Sequence, residues 1–178
     1  MARGVAGMNL EDGAGGKPGA RGLVPLSDQL HKIASVMETK RDLGSEFFLN
    51  AHVDAVHVMT GDAKKILDDA IRRGNAYAEA GGDCIFYVNL HSAKTIGVVV
   101  KEVNAPVSIL ASPPSPSVSE LQDLGVARVS YGSGSLKAAI GATRRLAQGI
   151  LEQGTVTALE EGMQTLEISA LVARKAGS

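Results

Sequence analysis

Residues 62–88 read DAKKILDDAIRRGNAYAEAGGDCIFYV, and this stretch joins one amphipathic helix to one apolar strand. Its first part carries apolar residues at the i, i+3, i+4 spacing of a helix face. Asp62 is of the residue type that caps helix N-termini, and Gly81 stands where a helix C-cap is expected. The run Cys84–Val88 is apolar throughout rather than alternating, which is typical of a parallel strand covered by helices. The stretch therefore predicts a helix followed by a buried parallel strand.

The same succession of strand and helix runs along most of the chain. The apolar runs are Gly4–Leu10, Glu46–Ala51, Cys84–Val88, Val107–Leu110 and Ala127–Ser130. The helical stretches are Leu26–Leu43, Asp62–Ala80, Ala93–Val103, Val118–Leu124 and Leu136–Leu151. Candidate N-terminal caps are Ser27 with Asp28, Asp62, Ser117 and Ser135. Strict alternation with short loops predicts an α/β fold with a parallel sheet and right-handed crossovers.

Five strand–helix units fit two architectures. An open, doubly wound sheet is complete with five strands, whereas a closed (β/α)8 barrel takes about 250 residues, so this chain would form five-eighths of one. Periodicity alone does not choose between them. A last helical stretch, Thr155–Arg174, follows the final unit.

Composition excludes several classes of protein. The chain has 178 residues with 18 Lys+Arg against 19 Asp+Glu, a net charge of −1, which argues against a nucleic-acid partner. No apolar run reaches the roughly 18 residues of a membrane span, and the N-terminus lacks the apolar core of a secretory signal. The single Cys84 rules out an internal disulfide framework and is typical of a reducing compartment, so we expect a cytoplasmic protein.

Polar residues follow the predicted strands at the end where α/β proteins place their sites. Glu11 and Asp12 follow the first strand and are hard oxygen donors, which indicates either a Mg²⁺ site or a solvated acidic turn. His52, Asp54 and His57 follow the second, where a metal site is one interpretation. A hydrogen bond from His52 to a carboxylate substrate, or a simple structural role, is the other.

The following segments match a known pattern in order along the chain. Gly7–Gly13 (GMNLEDG) resembles the G-(I/V)-N-(I/L)-E-D strand of the isocitrate lyase/phosphoenolpyruvate mutase superfamily. Ala76–Phe86 (AYAEAGGDCIF) resembles that superfamily's A-Y-x-x-A-G-A-D-x-I-F segment. Ala105–Leu110 and Gly125–Ser130 resemble its last two strands, so the resemblance covers about residues 4–151.

This resemblance implies a partial (β/α)8 barrel of the TIM type, with five parallel strands that correspond to strands four to eight. It also implies a Mg²⁺-dependent lyase or mutase that makes or breaks C–C or C–P bonds in small 2-oxo or 2-hydroxy carboxylates. Glu11 matches the superfamily's metal-binding carboxylate. The superfamily's strands one to three, with further metal-binding Asp residues, would precede Met1. Its A-R-T-D-A motif reads AHVDA at 51–55, so His52 replaces the Arg that clamps a carboxylate.

Two functional hypotheses follow. The first is a lyase or mutase in which Glu11 holds Mg²⁺ weakly and His52, Asn89 and Ser108 contact a small carboxylate, with the catalytic residues unassigned. The second is a truncated or degenerate member without catalysis that acts as a binding or assembly module.

The resemblance also bears on domains and association. We expect a partial barrel over 1–154 and a C-terminal helix over 155–178, which the superfamily typically exchanges between subunits. Open sheet edges and an undocked apolar helix face both favour association, so we expect a homo-oligomer.

Overall fold

Five parallel strands in sequence order form the main sheet. The computed structural model describes residues 4–15 and 22–160. The strands are β1 (Gly7–Leu10), β2 (Gly13–Ala14), β3 (Gly22–Leu23), β4 (Phe48–Val53), β5 (Cys84–Tyr87), β6 (Val107–Leu110) and β7 (Arg128–Ser130). The main sheet has the order β1-β4-β5-β6-β7, and β2 pairs antiparallel with β3. Because the order never reverses, the structure has no switch point and the doubly wound alternative is excluded.

Helices connect the strands as the sequence predicts. They are α1 (Leu26–Asp42), α2 (Ala55–Val58), α3 (Ala63–Glu79), α4 (Ala93–Glu102), α5 (Val118–Asp123) and α6 (Gly134–Gln153). The short α2 and the β2–β3 pair were not predicted, since four-residue and two-residue elements are too short to show a period. Each long helix lies within three residues of its predicted bounds.

Two of the four proposed N-caps are confirmed. The Asp62 carboxylate accepts hydrogen bonds from the first amides of α3, and Ser117 forms a capping box with Glu120 at the start of α5. The other two are wrong. Helix α1 begins directly after Pro25 and α6 after Ser133, in both cases without a side-chain cap. Proline can serve at the start of α1 because its fixed φ suits entry to a helix.

The two faces of the sheet differ in chemistry. Side chains such as Leu49, Ala51 and Ile85 are fully buried in the hydrophobic core. Alternate residues share a face of a strand, so the intervening residues point to the opposite, inner face. There the register aligns His52 with Phe86, Phe86 with Ser108, and Ser108 with Arg128 across four strands. The inner face therefore carries a polar row, whereas the outer face is apolar.

A cavity on the inner face shows that the sheet is curved. Its volume is about 370 Å³, and it is lined by residues of β4 and of both edge strands, β1 and β7. Its lining residues are Ala6, Gly7, Met8, Asn9, Phe48, Asn50 and Arg128. A flat five-stranded sheet would hold its edge strands too far apart to share a cavity of this size. The main sheet is a half-barrel, as the resemblance implies.

The chain divides into two compact units, the first ending at Tyr131 and the second starting at Gly132. The second unit contains α6, which ends at Gly154 with a φ of 65°, followed by a 3₁₀ turn at Thr157–Leu159. Most of the predicted helix Thr155–Arg174 lies outside the described residues. Within the described part of the chain, no helix combines the length and apolar character that crossing a membrane requires.

Candidate functional site

The carboxyl ends of β1 and β4 open into a cavity of about 170 Å³, which we call the mouth. This is the end of a parallel sheet where barrel proteins carry their active sites. Its lining residues are Glu11, Gly13, Ala14, Gly15, Asp54, His57 and Val58. Glu11 is exposed, and among the residues that the structure describes its carboxylate has no hydrogen-bond or ion-pair partner. The mouth therefore presents an exposed carboxylate that no residue of the described part of the chain engages.

Asp54 connects the mouth to the inner face of the sheet. Its Oδ2 accepts a hydrogen bond from the Gly13 amide at 2.9 Å and contacts His52 Nδ1 at 3.1 Å. A Cβ at position 13 would lie 2.8 Å from this oxygen, so only glycine allows the approach. Burial opposes ionisation of Asp54, but the hydrogen bonds from His52 and Gly13 and the charge of His52 outweigh it, so its pKa is lowered. Asp54 is thus an anion that fixes the His52 ring.

Asp12 lies next to Glu11 in sequence and has a different role. It is fully buried. Its Oδ1 accepts a hydrogen bond from the Asp54 amide at 2.7 Å. Its Oδ2 accepts hydrogen bonds from the Tyr77 hydroxyl at 2.6 Å and from the Arg73 guanidinium at 3.3 Å. Arg73 also contacts the Tyr77 hydroxyl and the carboxylate of Asp69. Every polar contact of Asp12 is therefore internal, and it holds β1, β4 and α3 together at the base of the mouth.

Burial shifts the pKa values of two groups in this buried cluster. It raises the pKa of Asp12 in spite of the hydrogen bonds from Tyr77 and Asp54. Burial and the hydrogen bond to Asp12 also raise the pKa of Tyr77, so that its hydroxyl remains a donor. Arg73 supplies the compensating positive charge. The cluster is a structural support for the mouth rather than a set of open ligands.

The inner face continues from the mouth through His52. The His52 ring packs edge-on against Phe86, with ring centroids 4.7 Å apart. On the other side of Phe86, the Arg128 guanidinium lies 5.6 Å from the ring centroid and donates to Ser108 Oγ at 3.0 Å. Asn50 donates to Asn9 Oδ1 at 2.6 Å. An imidazole, a guanidinium and two amides thus line one concave surface.

The structure brings some of the predicted site residues together and separates others. Glu11 lines the mouth, and His52 reaches it through Asp54. Ser108 is fully buried on the inner face in the same register row as His52. Asn89 is exposed beyond the end of β5, where its side chain contacts His91 rather than any residue of the mouth.

The sequence could have revealed the buried cluster through one signal. Arg73 falls on the apolar stripe of α3, three residues after Ala70 and four before Tyr77. A charged residue on the buried face of a helix needs an internal partner of opposite charge. That partner is Asp12, which the sequence interpretation treated only as a possible metal ligand or solvated turn residue. No local signal connects the two, since they lie 61 residues apart.

The donor set of the mouth has limits for metal binding. Within residues 4–15 and 22–160 there is no group of three or more His, Cys, Asp or Glu side chains placed to hold a metal ion. The carboxylates of Glu11 and Asp54 both line the mouth, while Asp12 is fully engaged elsewhere. These oxygen donors suit Mg²⁺, which keeps several waters and takes one or two protein carboxylates.

Comparison with known proteins gives a consistent result. A family model described as phosphoenolpyruvate phosphomutase matches residues 1–151. The chain is 37% identical over 107 residues to the 2-methylisocitrate lyase of Halalkalibacterium halodurans, which covers 58% of this chain and 36% of that protein. It is 26% identical over 149 residues to the phosphoenolpyruvate phosphomutase of Streptomyces hygroscopicus, covering 82% and 45% respectively.

Solved structures agree with the fold. A crystal structure from Burkholderia cenocepacia J2315 matches 97% of this chain and 60% of its own length, with a TM-score of 0.83 at 29% identity. A phosphonopyruvate hydrolase matches 96% of this chain and 59% of its own length, with a TM-score of 0.72 at 25% identity. The chain spans less than two thirds of each of these relatives.

Proposed function

The chain belongs to the phosphoenolpyruvate phosphomutase family, and from that premise we propose that it takes part in a lyase or mutase reaction on small carboxylates. The substrate class is 2-oxo or 2-hydroxy acids, in which a C–C or C–P bond is broken or formed. Relatives named 2-methylisocitrate lyase, phosphoenolpyruvate phosphomutase and phosphonopyruvate hydrolase support this class. The observation that carries the proposal is the Glu11 carboxylate in the mouth at the carboxyl ends of β1 and β4, which has no hydrogen-bond or ion-pair partner among residues 4–15 and 22–160.

Mg²⁺ is the cofactor that fits this mouth. Glu11 would hold it, with Asp54 the other carboxylate residue in reach of the cavity. Mg²⁺ requires six oxygen ligands in an octahedral arrangement, and two carboxylates supply only part of them. We therefore expect the chain alone to bind Mg²⁺ weakly, and the ion to bind more tightly when substrate oxygens complete its coordination. When bound, the ion supplies positive charge that stabilises the oxyanion or enolate formed on the substrate.

The remaining roles belong to the chain's own side chains. Nδ1 of His52 donates to Asp54, which orients the His52 ring. As an imidazolium, the ring also has a donor at Nε2 for a substrate carboxylate. Ser108 accepts a hydrogen bond from the Arg128 guanidinium, and this pair provides a second polar site on the inner face. Asn89, at the end of β5, is proposed as a substrate contact at the outer rim. The buried Asp12 cluster keeps β1 and β4 in place and so positions Glu11.

A non-catalytic binding module remains the second candidate, and one observation favours it. The segment AHVDA at 51–55 has His52 in place of the arginine of the A-R-T-D-A motif that it resembles, and an imidazole offers no bidentate fork for a carboxylate. This candidate predicts that carboxylates bind without being converted.

An activity screen with matched variants tests both candidates. The full chain is incubated with MgCl2 and a panel of 2-oxo, 2-hydroxy and phosphono acids, and bond cleavage is followed by NMR. We expect Mg²⁺-dependent turnover that EDTA abolishes and that Glu11→Gln lowers about 100-fold or more, the scale of losing one electrostatic stabiliser. Glu46→Gln, at an exposed residue just before β4, is the control and should keep full activity. Binding without turnover would support the module, and turnover unaffected by Glu11→Gln would refute the proposed site.

We also propose that the chain associates with itself. Within the described residues, β1 and β7 are edge strands of the main sheet, and α6 bears exposed apolar side chains at Leu136 and Ile140. Unpaired strand edges and apolar patches promote association. Light scattering at micromolar concentration should give a dimer or larger assembly, and a stable monomer would contradict the proposal.

A further inference from the structure

A second polar cluster lies at the ends of β5 and β6, and none of its side chains lines the mouth. His91 follows β5, and its Nδ1 lies 3.1 Å from the Oγ of Ser115, in the loop after β6. Its Nε2 lies 3.1 Å from Oδ1 of Asn89. The three side chains form a chain of hydrogen bonds in which a hydroxyl, an imidazole and an amide follow one another. Such an order is that of a nucleophile, its base and the group that orients the base.

The surrounding backbone favours one direction for each proton. The Val56 carbonyl can only accept, so Nδ2 of Asn89 donates to it at 3.5 Å and Oδ1 is left as an acceptor. His91 must then donate from Nε2, which leaves the lone pair on Nδ1. The Ser112 amide donates to Ser115 Oγ at 3.1 Å. The Ser115 proton therefore points to Nδ1, the direction that general-base activation requires.

The cluster is both held in place and accessible. Ser115 lies between Pro114 and Pro116, whose rings fix φ on each side of it. Asn89 has a φ of 62°, a conformation that asparagine tolerates better than most residues. Ser115 and His91 are half-buried rather than buried, so a small molecule reaches them from solvent. The arrangement is preorganised without being closed.

We propose that Ser115 is a nucleophile activated by His91, and that it accepts acyl groups from small activated esters. Ser115 Oγ forms a bond to the acyl carbon while the ester C–O bond breaks. The Ser115 proton passes to His91 Nδ1 and then to the departing alkoxide, which leaves as an alcohol. Water then attacks the acyl carbon as His91 Nδ1 takes one of its protons. The bond from that carbon to Ser115 Oγ breaks, the proton returns to Ser115 Oγ, and the carboxylic acid is released. Asn89 is a positioning residue, because it acts on the reaction only through the tautomer of His91.

Covalent labelling tests this site directly. An alkyl fluorophosphonate forms a Ser–O–P bond with loss of fluoride, and peptide mass spectrometry locates the label. We expect label on Ser115 ahead of the neighbouring Ser112 and Ser117. His91→Ala should slow labelling about 100-fold, the usual contribution of a general base, and added imidazole should restore part of the rate. Ser112→Ala is the control, because Ser112 contacts Ser115 through its backbone amide and carbonyl and not through its side chain, and it should label at the wild-type rate.

The role of Asn89 needs a readout beyond rate. Asn89→Gly keeps the positive φ and removes the amide, so the loop backbone is preserved. A ¹H–¹⁵N spectrum of the side chain should show His91 protonated at Nε2 in the wild-type chain and a mixture of tautomers in Asn89→Gly. Should a variant fail to fold by circular dichroism, the wild-type label site alone decides. A wild-type chain unlabelled at Ser115, or labelled there at a rate independent of His91, would overturn the proposal.

Discussion

Removing one hydroxyl, in Tyr77→Phe, should destabilise the chain more than removing another in an equally buried tyrosine. The Tyr77 hydroxyl donates to the Asp12 carboxylate at 2.6 Å and contacts Arg73 at 3.1 Å. The Tyr87 hydroxyl donates only to the backbone carbonyl of Ala70, at 3.1 Å. Both tyrosines are fully buried. The two substitutions therefore remove the same atom from similar surroundings but from partners of different charge.

The expected magnitudes follow from those partners. A hydrogen bond to a charged group contributes about 1.5–3 kcal/mol, and a neutral one about 0.5–1.5 kcal/mol. Tyr77→Phe leaves the fully buried Asp12 with one donor fewer, which places it at the upper end of the first range. We expect a loss of about 2–3 kcal/mol for Tyr77→Phe and about 1 kcal/mol for Tyr87→Phe. In a chain of this length, these losses lower Tm by about 4–12 °C for Tyr77→Phe and by about 2–4 °C for Tyr87→Phe.

Urea unfolding followed by circular dichroism measures both losses. Tyr131→Phe is the control, because Tyr131 is 56% exposed, and its stability should stay within about 0.5 kcal/mol of the wild type. A Tyr77→Phe loss no greater than that of Tyr87→Phe would refute the view that the Asp12 cluster stabilises the base of the mouth.

Three further perturbations test separate parts of the fold. Gly74→Ala places a Cβ 2.0 Å from the Tyr87 hydroxyl oxygen, so calorimetry should show a loss of about 1–3 kcal/mol in the wild type. The loss should be smaller in a Tyr87→Phe background, where only the contacts at 3.2 Å to Tyr87 Cζ and 3.3 Å to Ile85 remain, and equal losses in both would contradict the contact. The lowered pKa of Asp54 adds stability that is present above its ordinary value of 3.8 and is lost as pH falls through the native pKa. In Asp54→Asn, the free energy of unfolding should therefore fall less steeply with decreasing pH below about pH 4. An unchanged slope would disprove the His52 pairing. Ser117→Ala removes a capping box and should cost about 1 kcal/mol in urea unfolding, whereas no change would show the cap to be unimportant.

Much of the fold follows from the sequence because its elements are long or strongly patterned. Strand β6 was predicted with the bounds that the structure shows, and α3 to within one residue at each end. Strand β4 is predicted two residues early, over Glu46–Ala51, whereas its pairing with β1 begins at Phe48. Sheet curvature was accessible only through resemblance, since periodicity is the same in flat and closed sheets.

The site was harder to predict because its contacts join residues far apart in sequence. Placing Glu11 at a strand end needed only local pattern, and the structure agrees with it. The different roles of Glu11 and Asp12 are consistent with strand alternation, but the pairing of Asp12 with Arg73 depends on how α3 packs and has no local signal. The His91–Ser115 contact depends on two loops meeting across β5 and β6, and no sequence period encodes that.

The central claim, that the mouth at β1 and β4 binds a divalent cation through Glu11, can be tested by paramagnetic NMR. Mn²⁺ replaces Mg²⁺ in the full chain, and its unpaired electrons broaden the amide signals closest to the ion. The account predicts selective broadening at Gly13 and Asp54, which line the mouth with Glu11, with Arg128 on the far edge strand much less affected. Excess Mg²⁺ should reverse the broadening, and Glu11→Gln should weaken it. Broadening that is uniform over the sheet, or unchanged in Glu11→Gln, would contradict the claim.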